Sequence, residues 1–239
     1  MLTTEGGLLN GRLRYHQPAA GFRSGIEPVF LAAAVPARPG ERVLEAGTGA
    51  GAALLCLHAR VAGLESIGVE LDHEMATLAR ANAASNGLEG MQVLEADLLT
   101  AELPNGFDHA IANPPYHAAG SPSPLAAREM AKRGDSALLR SWILRLAVSL
   151  RPRGTLTLIL PAGVLPTCLP AMTEAGCGGA IVYPLWPRAE RDAKLVLIRG
   201  VKGGGAPLRL TAGMVLHRSD GSYTEQAQAI LRGGEALVL

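Results

Sequence analysis

The chain has 239 residues, of which 48% are hydrophobic, enough for a buried core and the right length for one domain with additions at its ends. Its net charge of +1 selects no partner, no apolar run reaches the roughly 18 residues of a membrane span, and the start MLTTEGGLLNGRLRYHQ lacks the basic-then-apolar pattern of an export signal. Cys56, Cys168 and Cys177 are odd in number and have no CxxC spacing, so they read as buried free thiols in a reducing cytoplasm, with no metal implied.

Residues 1–25 carry five glycines and read as irregular, followed by a short helix at 26–35. An alternation then begins: strand 41–46, a glycine turn, helix 51–62, strand 65–70, helix 72–86 with Asp72 as N-cap and Gly87 as stop, and strands 91–96 and 107–112. A proline-containing loop covers 113–124. Helix 135–151 ends before Pro152. Strand 154–160, a helix near 163–175 and a hairpin of strands 179–185 and 193–200 come next. A linker at 201–207 leads to a last strand at 208–217 and a helix at 224–231. Strands alternating with helices predict a mostly parallel sheet covered on both faces, and the late hairpin suggests an antiparallel edge.

The first strand runs into Glu45-Ala46-Gly47-Thr48-Gly49-Ala50-Gly51. A glycine turn between strand and helix lets a ligand approach the backbone and meet helix N–H groups. Alone it fits NAD, or no ligand at all. Glu45 at the turn suits a ligand with a cationic methionine end better than a pyrophosphate. Glu70, closing the second strand, can accept from both ribose hydroxyls, and the run Glu95-Ala96-Asp97-Leu98 closing the third can take an adenine amino group. Three carboxylates at the ends of consecutive parallel strands mark the edge where such sheets bind ligands. Together they point to S-adenosylmethionine.

Asn113-Pro114-Pro115-Tyr116 follows the fourth strand. The lone pair of a planar NH2 is delocalised, so the nitrogen is a poor nucleophile. An amide oxygen on Asn113 and the carbonyl of Pro114 can hold both of its hydrogens and favour a pyramidal nitrogen. The prolines stiffen the loop, so the acceptors are preorganised. Tyr116 offers a flat face for stacking.

This order of motifs resembles the N6-adenine and N5-glutamine branch of the class I methyltransferases. The whole chain resembles the bacterial tRNA adenine-N6 methyltransferases that modify the adenine 3′ of the anticodon in a valine tRNA. The narrower resemblance rests on Gln17-Pro18-Ala19-Ala20-Gly21-Phe22-Arg23 with Glu27-Pro28-Val29-Phe30-Leu31-Ala32, on Ala127-Arg128-Glu129, and on the end, from Lys194-Leu195-Val196-Leu197-Ile198 through Leu216-His217 to Gly221-Ser222-Tyr223-Thr224. It implies a Rossmann-like class I methyltransferase fold with a seven-stranded, mostly parallel sheet. The corresponding domain comprises a cap segment 1–40, a core 41–200 and an extension 201–239. It places Glu45, Gly47, Gly49, Gly51, Glu70, Asp97 and Leu98 at the cofactor, Asn113, Pro114, Pro115 and Tyr116 at the target amine, and Gln17 and Arg23 over the pocket. Glu45 and Glu27 stand where the family more often has Asp.

The charges are unevenly spread. Residues 1–120 hold 7 Lys and Arg against 13 Asp and Glu, and residues 121–239 hold 15 against 8. That split suits a cofactor half and a half that faces a polyanion. Arg128, Lys132 and Arg133 are candidates to grip tRNA phosphates. Arg188, Arg191 and Lys194 are a second basic group, with Trp186 beside them as a rim residue or a base stack. The rival readings are glutamine N5-methylation in a protein factor, guanine-N2 methylation of ribosomal RNA, a binding protein that kept the cofactor pocket, and a nicotinamide dehydrogenase.

Overall fold

The computed structural model describes residues 2–20, 24–114 and 125–239, with the backbone alone over 125–135. Its strands are β1 (Thr3–Leu8), β2 (Leu13–Pro18), β3 (Arg42–Ala46), β4 (Glu65–Glu70), β5 (Met91–Glu95), β6 (Phe107–Ala112), β7 (Leu150–Pro161), β8 (Cys177–Trp186), β9 (Leu195–Lys202), β10 (Arg209–Leu210) and β11 (Met214–Val215). Its helices are α1 (Glu27–Ala34), α2 (Ala52–Arg60), α3 (His73–Ser85), α4 (Leu125–Ser149), α5 (Leu165–Glu174) and α6 (Glu225–Leu231).

The main sheet runs β10-β8-β9-β7-β6-β3-β4-β5, with β11 also beside β8. The seven longer strands, β3 to β9, are the sheet the sequence predicts. β10 and β11 add two-residue extensions at one edge, where a single strand at 208–217 was expected. Gly213, at φ 74°, separates them from each other. A second difference concerns β9. It is antiparallel to both neighbours, β7 and β8, so the antiparallel strand lies inside the sheet rather than at its edge.

Alternation along the strands divides the core in two. Val43, Ile111, Ile159 and Leu197 pack against α1, α2, α3 and α6. Leu44, Ala110, Leu158 and Ile198 pack against Leu139, Ile143 and Leu146 of α4 and Cys168 and Met172 of α5. Period-two side chains on a strand require this arrangement when both faces are covered. All three cysteines are buried free thiols. Among the described residues no helix is long and apolar enough to cross a membrane.

Residues 3–18, expected to be irregular, are not. β1 and β2 form an antiparallel hairpin of their own. The free edge of β2 docks on α3 through two amide side chains. Asn86 accepts from the Arg14 N–H at 3.0 Å and donates to the Arg14 carbonyl at 2.8 Å. Asn82 does the same for His16, at 2.9 and 2.8 Å. Two strand residues on one edge span about 6.6 Å, and four helical residues span about 6 Å, so Asn82 and Asn86 stand in for a neighbouring strand. Asn82 is fully buried and also donates to the Ala50 carbonyl at 2.9 Å, which ties the hairpin to the glycine turn.

Asn82→Ala strands one buried and two part-buried backbone groups, and each fully unsatisfied group costs about 1–3 kcal/mol. A loss of about 2–4 kcal/mol and a drop in melting temperature of about 5–15 °C are expected in thermal unfolding. An unchanged melting temperature would show that the hairpin is not anchored in this way.

Candidate cofactor and amine site

β3, β4 and β6 are adjacent and parallel, with Ala46 opposite both Val69 and Ala112. One residue further on, Gly47, Glu70 and Asn113 therefore stand side by side at the carboxyl edge. The next strand out is in register too, Glu70 facing Glu95. This places the carboxylates and the Asn-Pro motif on one line, at the edge where open parallel sheets bind ligands.

Gly47, Gly49 and Gly51 all have positive φ, at 63°, 56° and 89°, a conformation that side-chain-bearing residues adopt at a cost. Gly47 has a second reason to lack a side chain. A Cβ there would lie 2.8 Å from the indole of Trp142, so this α4 ring rests on the turn. Thr48 N–H donates to the Val69 carbonyl at 3.1 Å. Glu70 anchors the turn with both oxygens: Oε2 accepts from Gly49 N–H at 2.8 Å, and Oε1 from Asp72 N–H at 2.9 Å. Asp72 in turn caps α3 by accepting from Met75 N–H at 2.9 Å.

The two acidic candidates after β5 have different surroundings. Glu95 is engaged by His73 at 2.9 Å and Arg80 at 3.5 Å, and these bonds hold its carboxyl below the ordinary range. Asp97 is exposed and accepts from Leu99 N–H at 2.9 Å, which leaves its second oxygen for a ligand. Leu98 is buried against the α4 side of the sheet.

Glu45 lies beneath the turn rather than on its surface, only 3% exposed. Its carboxyl accepts from the Thr48 hydroxyl at 2.6 Å. Burial, with the Glu70 charge adding to it, pushes the Glu45 carboxyl up to about 8. Burial likewise raises Tyr15, whose hydroxyl bonds the Ser24 hydroxyl at 2.7 Å. Gln17 accepts from Ser24 N–H at 3.2 Å, which places β2 and Ser24 together over this side of the turn.

Glu45 thus holds a proton that the unfolded chain has already released between pH 4.5 and about 8. Its contribution to stability is fully present below that window, declines across it and is flat above it. A cation bound above the turn favours the ionised form, so cofactor binding near pH 7 should release close to one proton. Calorimetry in buffers of different ionisation enthalpy reads that number, and Glu45→Gln should abolish it. No proton release in the unaltered chain would contradict the buried protonated state.

Asn113 is half-buried and Pro114 buried at the end of β6. Pro115, Tyr116 and Arg23 lie outside the described residues. Arg128, Lys132 and Arg133 fall on the first turns of α4, and their side chains are outside the described set. Sequence reasoning missed Thr48, Asn82 and Trp142, which shape the turn. Asn82 and Asn86, four apart on a helix, carried a signal for such docking; Trp142 carried none.

A glycine turn that leads into a helix, flanked by carboxylates at the ends of the next two strands and by an amide and a proline after the neighbouring strand β6, defines a methyltransferase of the class I fold. The chain belongs to the methyltransferase small domain family, whose model matches residues 27–152. It is 28% identical over 198 residues to the tRNA1(Val) (adenine(37)-N6)-methyltransferase of Bacteroides thetaiotaomicron, covering 82% of this chain and 77% of that one. It is 34% identical over 172 residues to the release factor glutamine methyltransferase of Deinococcus radiodurans, 69% of this chain and 59% of that one. Among solved structures, a predicted O-methyltransferase from Agrobacterium tumefaciens matches with a TM-score of 0.74 and 26% identity, over 89% of this chain and 99% of that one.

Proposed function

We propose that the chain methylates the N6 amino group of an adenine in the anticodon loop of a tRNA, with S-adenosylmethionine as donor, and that its hairpin, core and C-terminal extension act as one unit in the cytoplasm. The observation that carries this reading is the adjacency of Asn113 to Gly47 on neighbouring strands, which puts an amine-binding amide next to a cofactor turn. The turn fits the donor. Its three left-handed glycines hold the tight turn that leads into α2, Glu70 and the free oxygen of Asp97 can take ribose hydroxyls and the adenine amine, and Glu45, on giving up its proton, supplies negative charge below.

The donor supplies a methyl carbon already activated on a sulfonium, so neither a metal nor a strong base is required. The chain's part is to hold and orient. The Asn113 oxygen and the Pro114 carbonyl accept the two N–H bonds of the target amine, which localises the nitrogen lone pair toward the cofactor side. A bound donor would supply the methyl group, and the proton that the amine loses in exchange would pass to solvent water. Tyr116 stacks the base, while Gln17 and Arg23 cover the pocket. Arg128, Lys132 and Arg133 neutralise phosphates.

A glutamine side chain presents the same planar NH2, and the Deinococcus relative is named for that reaction. The excess of 15 Lys and Arg over 8 Asp and Glu in residues 121–239 favours a polyanion. Labelled methyl donor offered with total tRNA and, separately, with a release-factor-type protein separates the two. Label in tRNA is expected. Label in the protein and none in tRNA would reverse the assignment.

A further inference from the structure

The carboxyl edge that bears Asn113 continues across the sheet to Trp186, the last residue of β8. Register links Ala112 to Leu158, Leu158 to Ile198 and Ile198 to Val182. Trp186 is four residues past Val182, so it stands three strands from Asn113, about 14 Å along the sheet and about 10 Å further out. Around it lies a groove of about 560 Å³, lined by Trp186, Arg188, Glu190, Arg191, Asp192 and Gly213 among others. None of these residues belongs to the site described above.

The groove has the parts of a nucleotide seat. Trp186 is half-buried, and its indole N–H donates to the Ala212 carbonyl at 2.9 Å. That bond fixes the ring plane before any ligand arrives. Arg188 and Arg191 are exposed, and no ion pair engages either among the described residues. The turn they occupy is held by the Arg191 N–H donating to the Arg188 carbonyl at 3.3 Å, with Glu190 in the left-handed region at φ 62°. Glu190 and Asp192 disfavour a bare phosphate in the groove. They can accept from the amino group of a base, as carboxylates do in base recognition. An aromatic face, two unpaired guanidiniums and amino-group acceptors together select an unpaired nucleotide rather than a simple anion or an apolar side chain.

We propose that this groove seats an unpaired nucleotide of the same RNA that presents the target adenine, its base on the Trp186 face and its flanking phosphates against Arg188 and Arg191. The proposal rests on the RNA reading above. An anticodon loop presents several unpaired nucleotides in succession, so one chain of RNA can occupy the amine site and this groove together.

The test uses an anticodon stem-loop RNA, the full chain and steady-state methylation. Trp186→Ala should raise KM for the stem-loop about 5- to 150-fold, the worth of one stacked base, with kcat and cofactor affinity unchanged. Trp186→Phe should restore most of the affinity. The double variant Arg188→Ala, Arg191→Ala should flatten the salt dependence of RNA binding by about 0.7 for each lost phosphate contact. If the unaltered chain methylates the stem-loop while the double variant keeps its salt slope and Trp186→Phe and Trp186→Ala keep its KM, the groove proposal is overturned and the RNA reading survives. If the unaltered chain transfers no methyl to any RNA, the RNA reading itself fails.

Discussion

Asn113→Ala should lower turnover about 10²- to 10³-fold, the loss expected when one preorganised partner of the reacting group is removed. Cofactor affinity should stay within about twofold, because Asn113 follows β6 while the ligands of the turn come from β3, β4 and the segment after β5. The variant removes the side-chain acceptor and leaves the Pro114 carbonyl, so the amine keeps one of its two hydrogen bonds and its lone pair stays more delocalised. Asn113 is half-buried, and truncation there opens space at the edge rather than in the core, so melting temperature should change little. Single-turnover kinetics with saturating RNA read the chemical step directly. A full rate in the variant would remove Asn113 from the reaction.

Glu70→Ala should weaken S-adenosylmethionine binding by about 1.5–3 kcal/mol, or roughly 10- to 150-fold, the worth of hydrogen bonds to a charged group. Two losses combine. The ribose loses its carboxylate partner, and the N–H groups of Gly49 and Asp72 lose the acceptor that now positions them. Glu70→Gln keeps one acceptor oxygen and should cost less. Titration calorimetry gives both values. Binding of NAD with no binding of S-adenosylmethionine by the unaltered chain would overturn the cofactor assignment altogether.

The parallel core was readable because its signals are local. β4 and β6 fall at 65–70 and 107–112 as periodicity and apolar runs predict, and Asp72 caps α3 as its side chain and position require. The parts that were misread depend on distant partners. β1 and β2 contain Gly6, Gly7 and polar residues and lack a strand pattern; their order comes from Asn82 and Asn86, some 70 residues away. The helix expected at 135–151 begins at Leu125, ten residues earlier. The hairpin of β8 and β9 is as expected, but β9 carried a clue against its placement at an edge. Val196, Leu197 and Ile198 form a continuous apolar run, the mark of a strand buried on both faces, and all three are at most 2% exposed.

The candidate site shows the same division. The glycine turn, Glu70, Asp97 and Asn113 follow from strand ends and were legible as residue types. The position of Glu45 was not. Only the fold reveals Thr48 as its partner, with burial holding the proton. Trp142 comes to the turn from α4, nearly a hundred residues later, and no spacing rule anticipates it.

The central claim is methyl transfer to adenine N6 in an RNA loop. Its most direct test is mass spectrometry of nucleosides from an anticodon stem-loop incubated with the purified chain and S-adenosylmethionine, beside the same RNA with the target adenine replaced by guanine. N6-methyladenosine is expected in the first RNA and no methylated nucleoside in the second. N2-methylguanosine, or no modified nucleoside in either RNA together with N5-methylglutamine in a release-factor-type protein, would contradict it.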